Sequence, residues 1–384
     1  MSQRNLRKIV WVDPREGIYR GDLTIQHDYV DRVDVGETLA PDTDPATLAE
    51  FWIPGFVDLH SDAIEKTVEP RPRVHFPLPF ALNNMDRCLV ASGVTSCFHA
   101  ISFAGKEMGL RSPQKATALI EALDAARHHS RCRNFIHVRY EVSDLFAPAE
   151  IKKRIEGGLV DLLSFMDHCP GQGQFRRDKD FIRYLMLTYS KTEKKSRALL
   201  REKRRTHAGA KERVRDLAGL AKVNRVKLVS HDMDNPAEAK EWAALGVSIS
   251  EFPMTLQAAE ASLAAGMATF LGAPNLVRGE SSGNGVKASE AIEAGFASGL
   301  CSDYLPASLM DGLQKTLRLD RHRLTLPQAV AFFTRNPAEA ANQKALGRIG
   351  AGYPADLLRL AWEGDNLRLK ETIVAGKTVF FEAD

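Results

Sequence analysis

The chain has 384 residues, with 44% hydrophobic and 26% charged residues and a formal net charge of +3. This composition is typical of a globular protein and gives no overall signature of nucleic-acid binding. The five cysteines are odd in number and none stands at C-x-x-C spacing, which favours a reducing cytoplasm over a disulfide framework. The segment "MSQRNLRKIVWVD" lacks the apolar core of a signal peptide, and no run of about 18 apolar residues predicts a membrane span.

Both ends of the chain predict short strands. Apolar and polar residues alternate in "KIVWVD", "GIYRGDLTIQ" and "RVDVGE", and again in "ADLLRLAW" and "LRLKETIVAGKTVF". Because chain termini often lie close together, we expect residues 1–52 and 353–384 to form one small β subdomain of the sandwich type beside residues 53–352.

Apolar runs alternate with helical patterns through the middle of the chain. The strand-like runs are 53–59, 94–100, 134–141, 159–167, 226–231, 247–252, 267–272 and 299–303. Eight such alternations predict an α/β protein with a (β/α)8 barrel of the TIM type. A doubly wound sheet is the competing layout, but its Gly-rich turn is absent from the sequence.

Metal-ligand residue types follow most of these runs. In a (β/α)8 barrel the reactive residues lie at the carboxyl ends of the strands. A single buried histidine is more often a core residue, and a structural role stays open for His99, His137 and Glu251. Several buried carboxylates need a neutralising partner, and a pair of divalent metal ions would supply it. The residues at these strand ends are His60, Asp62, Glu141, Asp167, His168, His231, Asp232, Glu251 and Asp303.

Longer stretches narrow the interpretation. In order along the chain they are "HSDAIEKTVEPRPRVHFP", "SFMDHCPGQGQF", "LVSHDMDN", "SEFPMTLQAAEAS", "FLGAPNLVRG", "SGN", "SDYLPASLM" and "LTLPQAVAFFTRNPAEA". From about residue 50 onward the sequence resembles the α-D-ribose 1-methylphosphonate 5-triphosphate diphosphatase (PhnM) family of the carbon–phosphorus lyase pathway, within the amidohydrolase superfamily. It differs from that pattern at Ala63, at Tyr140 and in the loop "RGESSGN".

The resemblance implies a binuclear metal centre. His60 and Asp62 would hold one ion and His168 and His231 the other, with Glu141 bridging them. Asp303 would bind the first ion and accept the proton of the attacking water, so Asp303 and Glu141 are the expected catalytic residues. Zn²⁺ is the expected cofactor, one or two ions per chain, with Mn²⁺ or Fe²⁺ as alternatives.

A triphosphate substrate needs guanidinium and backbone N–H donors. Each basic residue alone is more often a solvated surface charge, and only clustering after strand ends favours a binding role. The expected substrate-binding residues are Lys66, Arg71, Arg73, Arg176, Arg177, Arg278, Ser282 and Asn284, with the loop 171–173.

A basic segment runs from Lys191 to Asp216 and holds eleven Lys and Arg against three Glu. It predicts a helix with a solvated face. A lid over the phosphates is the alternative, and nucleic-acid binding ranks last because interleaved aromatic residues are missing.

Three functions fit these observations. The first is hydrolysis of α-D-ribose 1-methylphosphonate 5-triphosphate to the 5-phosphate and pyrophosphate, in the cytoplasm. The second is an amidase, deaminase or lactonase with the same metal site, for which dense arginine is not needed. The third is a non-catalytic barrel, which would not need intact ligands. The expected partner is a small phosphorylated sugar, with no nucleic acid or membrane, and a homodimer is left open.

Overall fold

The computed structural model describes residues 3–104, 110–169, 177–189, 191–281, 285–319 and 324–383. The strands in these ranges are β1 (Gln3–Asp13), β2 (Gly17–Gln26), β3 (Tyr29–Leu39), β4 (Glu50–Pro54), β5 (Phe56–Ser61), β6 (Val94–Phe103), β7 (Arg133–Glu141), β8 (Leu162–Met166), β9 (Lys227–His231), β10 (Val247–Glu251), β11 (Ala268–Gly272), β12 (Gly299–Cys301), β13 (Leu357–Glu363), β14 (Asn366–Val374) and β15 (Lys377–Phe381).

The helices between the strands follow most of the predicted helical intervals. They are α1 (Ala63–Val68), α2 (Leu78–Ala91), α3 (Pro113–Ala126), α4 (Ala147–Glu156), α5 (Asp178–Tyr189), α6 (Glu193–His207), α7 (Ala210–Val223), α8 (Glu238–Ala244), α9 (Leu256–Ala264), α10 (Ala273–Arg278), α11 (Ala288–Glu293), α12 (Ser308–Thr316), α13 (Leu326–Ala331) and α14 (Arg335–Ala340). In the described part of the chain no helix is long and apolar enough to cross a membrane.

The two ends of the chain build one seven-stranded sheet, in the order β15-β14-β13-β4-β1-β2-β3. Strand β4 joins the halves, since Trp52 pairs with Trp11 on one side and with Arg359 on the other. The predicted β subdomain from both termini is therefore confirmed. Its division from the barrel at residues 52 and 353 stays a prediction.

The other eight strands form a parallel sheet in the order β12-β11-β10-β9-β8-β7-β6-β5, which confirms the predicted barrel. The sheet closes between its first and last strands through two backbone hydrogen bonds. Asp62 N–H donates to Asp303 O and Asp303 N–H donates to His60 O, both at 2.9 Å. Closure therefore brings the segments after β5 and β12 side by side.

The floor of the barrel is apolar. Every residue of β6 is buried, as expected for a parallel strand that is covered on both faces. The interior cluster includes Val57, Phe98, Val229 and Phe270, and Phe98 stacks on Phe135 with ring centroids 4.5 Å apart. Polar interior side chains therefore lie above this floor, towards the carboxyl ends of the strands.

The predicted strand at 53–59 is two strands, because the chain leaves the terminal sheet at β4 and enters the barrel at β5. Gly55 is the single residue between β4 and β5. A Cβ added there would lie 2.2 Å from the side chain of Thr95. Only glycine allows the backbone at residue 55 to lie this close to the Thr95 side chain of β6.

A Gly55→Ala substitution is therefore expected to lower the apparent Tm, with a cost of about 1–3 kcal/mol for overpacking. Gly219→Ala is the matched control, because an added Cβ there meets nothing within 4 Å on α7. That change should be neutral or stabilising by about 0.5–1 kcal/mol. Thermal unfolding of both variants checks the assignment, and an unchanged Tm in Gly55→Ala would contradict it.

Candidate active site

Polar side chains occupy successive interior positions along β7, from the apolar floor of the barrel to its mouth. Alternate residues of a strand face the same side, so Phe135, His137, Arg139 and Glu141 of β7 share the interior face. His137, Arg139 and Glu141 are all buried. The strand therefore delivers an imidazole, a guanidinium and a carboxylate to successive levels of the interior.

Three residues after strand ends take a left-handed backbone. Asp232, Phe252 and Asp303 have φ values of 54°, 51° and 54°. Their N–H groups donate to Glu251 O, Phe270 O and His60 O at 2.9–3.0 Å. Each such conformation costs about 1–3 kcal/mol in a non-glycine residue and is typical of functional sites. All three residues line the cavity at the barrel mouth.

The first cluster of candidate ligands joins His60, Asp62 and Asp303. One ligand atom from each lies within 4.8 Å of the others. His60 is fully buried, and its Nδ1 lies 2.9 Å from Oε2 of Glu251. Its Nε2 is buried with no hydrogen-bond partner among the described residues. This is the usual arrangement of a metal-binding histidine, whose other nitrogen is held by a carboxylate.

The second cluster joins His168, His231 and Asp232, again within 4.8 Å. His231 Nδ1 lies 3.0 Å from Glu251 Oε2. His168 Nδ1 lies 3.0 Å from Glu141 Oε2, and its Nε2 lies 3.7 Å from Asp232 Oδ2. Burial opposes its protonation, but the nearby carboxylates of Asp232 and Glu141 raise the pKa of His168 to about 9.

Glu251 connects the two clusters, and with His60 and His231 it forms a third group of candidate ligand atoms within 4.8 Å of one another. One oxygen accepts from both His60 and His231, and the other lies 3.3 Å from His137 Nε2. Burial opposes ionisation, but the imidazoles of His137 and His60 and the hydrogen bond from His231 hold the pKa of Glu251 well below its usual range. An ionised Glu251 fixes the Nδ1–H tautomer of both histidines and aims each Nε2 away from itself.

These donor sets fit a divalent metal ion. Histidine nitrogens with carboxylate oxygens suit Zn²⁺ and also Mn²⁺ or Fe²⁺. A buried ring nitrogen without a partner, as at His60, is rare unless an ion or water satisfies it. The chain therefore presents candidate ligands for a divalent metal at its barrel mouth.

Arg139 lies between the two clusters. Its Nη1 is 3.3 Å from Asp62 Oδ2 and its Nη2 is 3.1 Å from His231 Nε2. The residue is only 7% exposed, so this guanidinium is a fixed part of the site. Arg139 was not singled out from the sequence among the many arginines, although it shares the interior face of β7 with Glu141.

Glu141, the predicted bridge, contacts His168 and Lys203, and its role as a bridging ligand stays a prediction. Its Oε2 accepts from His168 Nδ1 at 3.0 Å and from Lys203 Nζ at 3.1 Å, and its Oε1 accepts from Ser143 at 2.9 Å. No cluster of candidate ligand atoms in the described residues includes it. Its hydrogen bond with His168 Nδ1 also lets Glu141 orient that histidine.

The predicted general base, Asp303, is nearly buried at the closure of the barrel. Burial and the neighbouring charge of Asp62 raise the pKa of Asp303 to about 7, although His60 and Arg139 oppose the shift. A bound cation would favour the ionised form. In the structure Asp303 lies where a base and ligand was expected, and its catalytic role stays a prediction.

A cavity of about 240 Å³ opens above both clusters. Two cations line it, Arg111 and Arg139. Its other lining residues are Asp62, His168, Tyr184, His231, Asp232, Phe252, Pro253, Met254, Leu271, Asn275, Ser281, Gly285, Val286 and Asp303. Arg111 also contacts Glu65 Oε2 through Nε and Nη2, each at 3.1 Å. The cavity therefore combines carboxylate and imidazole donors with two guanidinium groups.

The predicted substrate-binding cations lie elsewhere. Lys66, Arg71 and Arg73 are exposed and do not line the cavity. Arg71 and Arg73 belong to a tight turn, in which Val74 N–H donates to Arg71 O at 3.0 Å and Arg73 has φ 67°. This arrangement, with Pro72 in the second position, is that of a type II turn.

Two other predicted cations pair with acidic neighbours at the surface. Arg177 binds Asp180 at 2.9 Å, and Arg278 binds Glu280 at 2.6 Å. The remaining predicted residues, Arg176, Ser282 and Asn284, and the loop 171–173, lie outside the described residues. The substrate-binding role of this whole set stays a prediction.

The basic segment forms α6 and the start of α7. Most of its charges face solvent, but Lys203 reaches Glu141 at 3.1 Å and His207 Nε2 lies 2.7 Å from Asp167 Oδ2. Both carboxylates stand at the ends of barrel strands. The segment is therefore anchored to two strand ends by Lys203 and His207, and its role as a lid stays a prediction.

The comparisons with known proteins agree with this architecture. A model of the amidohydrolase family matches residues 202–379. The α-D-ribose 1-methylphosphonate 5-triphosphate diphosphatase of Escherichia coli (strain K12) is 34% identical over 333 residues, which cover 86% of this chain and 88% of that protein.

Solved structures add the fold. The 5-methylcytosine deaminase from Klebsiella pneumoniae, liganded with phosphonocytosine, has a TM-score of 0.64 at 16% identity over 99% of both chains. The N-acetylglucosamine-6-phosphate deacetylase from Thermotoga maritima has a TM-score of 0.58 at 14% identity, covering 99% of this chain and 100% of that one. At such identities the likeness concerns architecture alone.

A barrel with a terminal β-sheet and a ring of His and Asp at its mouth defines a hydrolase of the amidohydrolase class. Within that class, the chain belongs to the α-D-ribose 1-methylphosphonate 5-triphosphate diphosphatase family.

Proposed function

We propose that the chain is a metal-dependent diphosphatase, which hydrolyses α-D-ribose 1-methylphosphonate 5-triphosphate to the 5-phosphate and pyrophosphate. The observation that carries the proposal is the cavity itself. It places Arg111 and Arg139 beside both clusters of candidate metal ligands, so that one space offers guanidinium and ligand groups together. A polyphosphate needs both, whereas a neutral amide needs only the second.

Each group in the cavity has a task in this proposal. Arg111 and Arg139 bind phosphate oxygens and offset the negative charge that develops on the leaving pyrophosphate. A divalent ion held by the candidate ligands would lower the pKa of a bound water towards neutrality. Asp303 accepts the water proton on a carboxylate oxygen, and Glu251 keeps His60 and His231 in one tautomer. Zn²⁺ is the proposed ion, a cytoplasmic location remains a further prediction, and a homodimer is left open.

The deciding experiment identifies the phosphorus-containing products of the reaction. Metal-loaded protein is incubated with the ribose triphosphate, and ³¹P NMR separates pyrophosphate release from stepwise loss of inorganic phosphate. Release of pyrophosphate with formation of the 5-phosphate supports the proposal. A protein that leaves the triphosphate intact but hydrolyses a cyclic amide or an aminopyrimidine would instead be an amidase or deaminase.

Arg111 offers a direct test of substrate binding. An Arg111→Ala variant is expected to lose roughly tenfold to a hundredfold in kcat/KM, since a hydrogen bond to a charged group contributes about 1.5–3 kcal/mol. Arg73→Ala is the comparison variant, because the sequence predicts a similar loss there. Its exposure outside the cavity predicts instead a loss below about fivefold. Steady-state kinetics compares them. A larger loss in Arg73→Ala than in Arg111→Ala would assign phosphate binding to the 71–74 turn.

A further inference from the structure

Two histidines of the site share one carboxylate oxygen but face different surroundings. His60 Nδ1 and His231 Nδ1 lie 2.9 and 3.0 Å from Glu251 Oε2. The ionised carboxylate accepts an N–H from both, and in the neutral Nδ1–H tautomer each Nε2 carries a lone pair. In that tautomer the two rings differ in the group that meets this lone pair.

At His231 the lone pair is already engaged. Arg139 Nη2 lies 3.1 Å from His231 Nε2, and a guanidinium has only donors and stays charged. At His60 no group in the described residues meets Nε2, which is buried beside Asp62 and Asp303. One cluster thus has an open ligand atom, and the other has its imidazole bound to a fixed cation.

The other histidine of the second cluster, His168, also has partners at both ring nitrogens. His168 has a carboxylate at each ring nitrogen, with Glu141 Oε2 at 3.0 Å from Nδ1 and Asp232 Oδ2 at 3.7 Å from Nε2. Arg139 also reaches the first cluster, where Nη1 lies 3.3 Å from Asp62 Oδ2. A second divalent ion would have to displace the guanidinium from His231 and sit beside its charge.

We propose that the chain binds a single divalent ion, at His60, Asp62 and Asp303, and that the guanidinium of Arg139 takes the place of a second ion beside His231. The resident cation then faces the cavity as an anion-binding group. The proposal rests on the proposed metal-dependent function for the presence of an ion, but not for the substrate. It replaces the two-ion arrangement that the sequence led us to expect.

The test is metal content, which is independent of turnover. Protein is loaded with excess Zn²⁺, desalted and analysed by mass spectrometry, and a Mn²⁺-loaded sample is examined by EPR. We expect one ion per chain and the hyperfine-split spectrum of an isolated Mn²⁺. Two ions per chain, or the spectrum of an exchange-coupled pair, would overturn the proposal. A chain with no ion would overturn the metal-dependent function as well, while one ion with no pyrophosphate release would leave this inference standing alone.

Variants locate the ion and test the guanidinium. His60→Asn should lose the ion, and His231→Asn should keep it; the reverse result would refute the assignment. Arg139→Met, which removes the charge but keeps most of the aliphatic stem, should raise the content from one to two ions per chain. Arg139→Lys keeps a cation and should stay at one. If folded Arg139→Met still holds one ion, Arg139 does not exclude the second.

Discussion

An Asp303→Asn variant should lose about a hundredfold to ten-thousandfold in kcat for pyrophosphate release, the usual contribution of a positioned general base. The substitution removes the negative charge and the proton acceptor while it preserves the size of the side chain. Its backbone conformation is retained, because asparagine tolerates the φ of 54° found at this position. The N–H of residue 303 can still donate to His60 O, so barrel closure is preserved.

Asp232→Asn is the matched control for this prediction. Asp232 also has φ 54°, also follows a barrel strand and also lines the cavity, but it belongs to the cluster that Arg139 joins. With the ion at His60, Asp62 and Asp303, metal analysis should find it weakened in Asp303→Asn and retained in Asp232→Asn. An Asp303→Asn variant that keeps more than about a tenth of wild-type kcat would exclude Asp303 as the base.

The position of the site could be predicted from the sequence, for a simple physical reason. Buried parallel strands are continuous apolar runs, so their ends are visible as the first polar residue types, and a barrel gathers these ends at one mouth. His60, His231 and Asp303 were found in this way. Each is far from the others in sequence, and closure of β5 against β12 brings His60 and Asp303 together.

The roles of individual residues within the site were harder to predict, because they depend on which side-chain atoms are in contact. Arg139 and Glu141 are two residues apart on one strand and share its interior face, yet only Arg139 reaches both clusters. The alternation along β7 was a signal that would have pointed to Arg139. Glu251 was left open as a structural residue, and its contacts with both histidines became visible only with β9 and β10 paired in register.

The basic residues predicted to bind the triphosphate show a different limit of prediction from sequence. Basic residues close to a strand end in sequence were expected to face the cavity, but Arg177 and Arg278 find carboxylates two or three residues away. Such local pairs satisfy the charge at the surface. Arg111 escaped notice because its segment follows β6 without an adjacent ligand residue. Proximity in sequence to a motif is therefore weaker evidence than an interior position.

Glu251→Ala should weaken the bound ion by at least about tenfold to a hundredfold, the usual effect of removing a carboxylate that orients a metal-binding histidine. The same change should lower stability by about 3–5 kcal/mol, because it breaks a buried network and leaves His60 and His231 without their acceptor. Competition with a chromophoric chelator measures the first effect, and thermal unfolding measures the second.

Glu141→Gln is the control for Glu251→Ala. It distinguishes the loss of a carboxylate that orients a metal-binding histidine from the loss of any buried charge. Glu141 is also buried and also accepts from a histidine Nδ1, but its partner His168 lies in the cluster beside Arg139. The change should reduce stability, since Lys203 would lose its charged partner, and should leave the metal affinity within about threefold of wild type. If the two variants weaken the ion equally, both clusters hold metal. If Glu251→Ala keeps wild-type affinity, His60 needs no carboxylate to present Nε2, and Glu251 serves only to hold the three imidazoles of the barrel mouth in place.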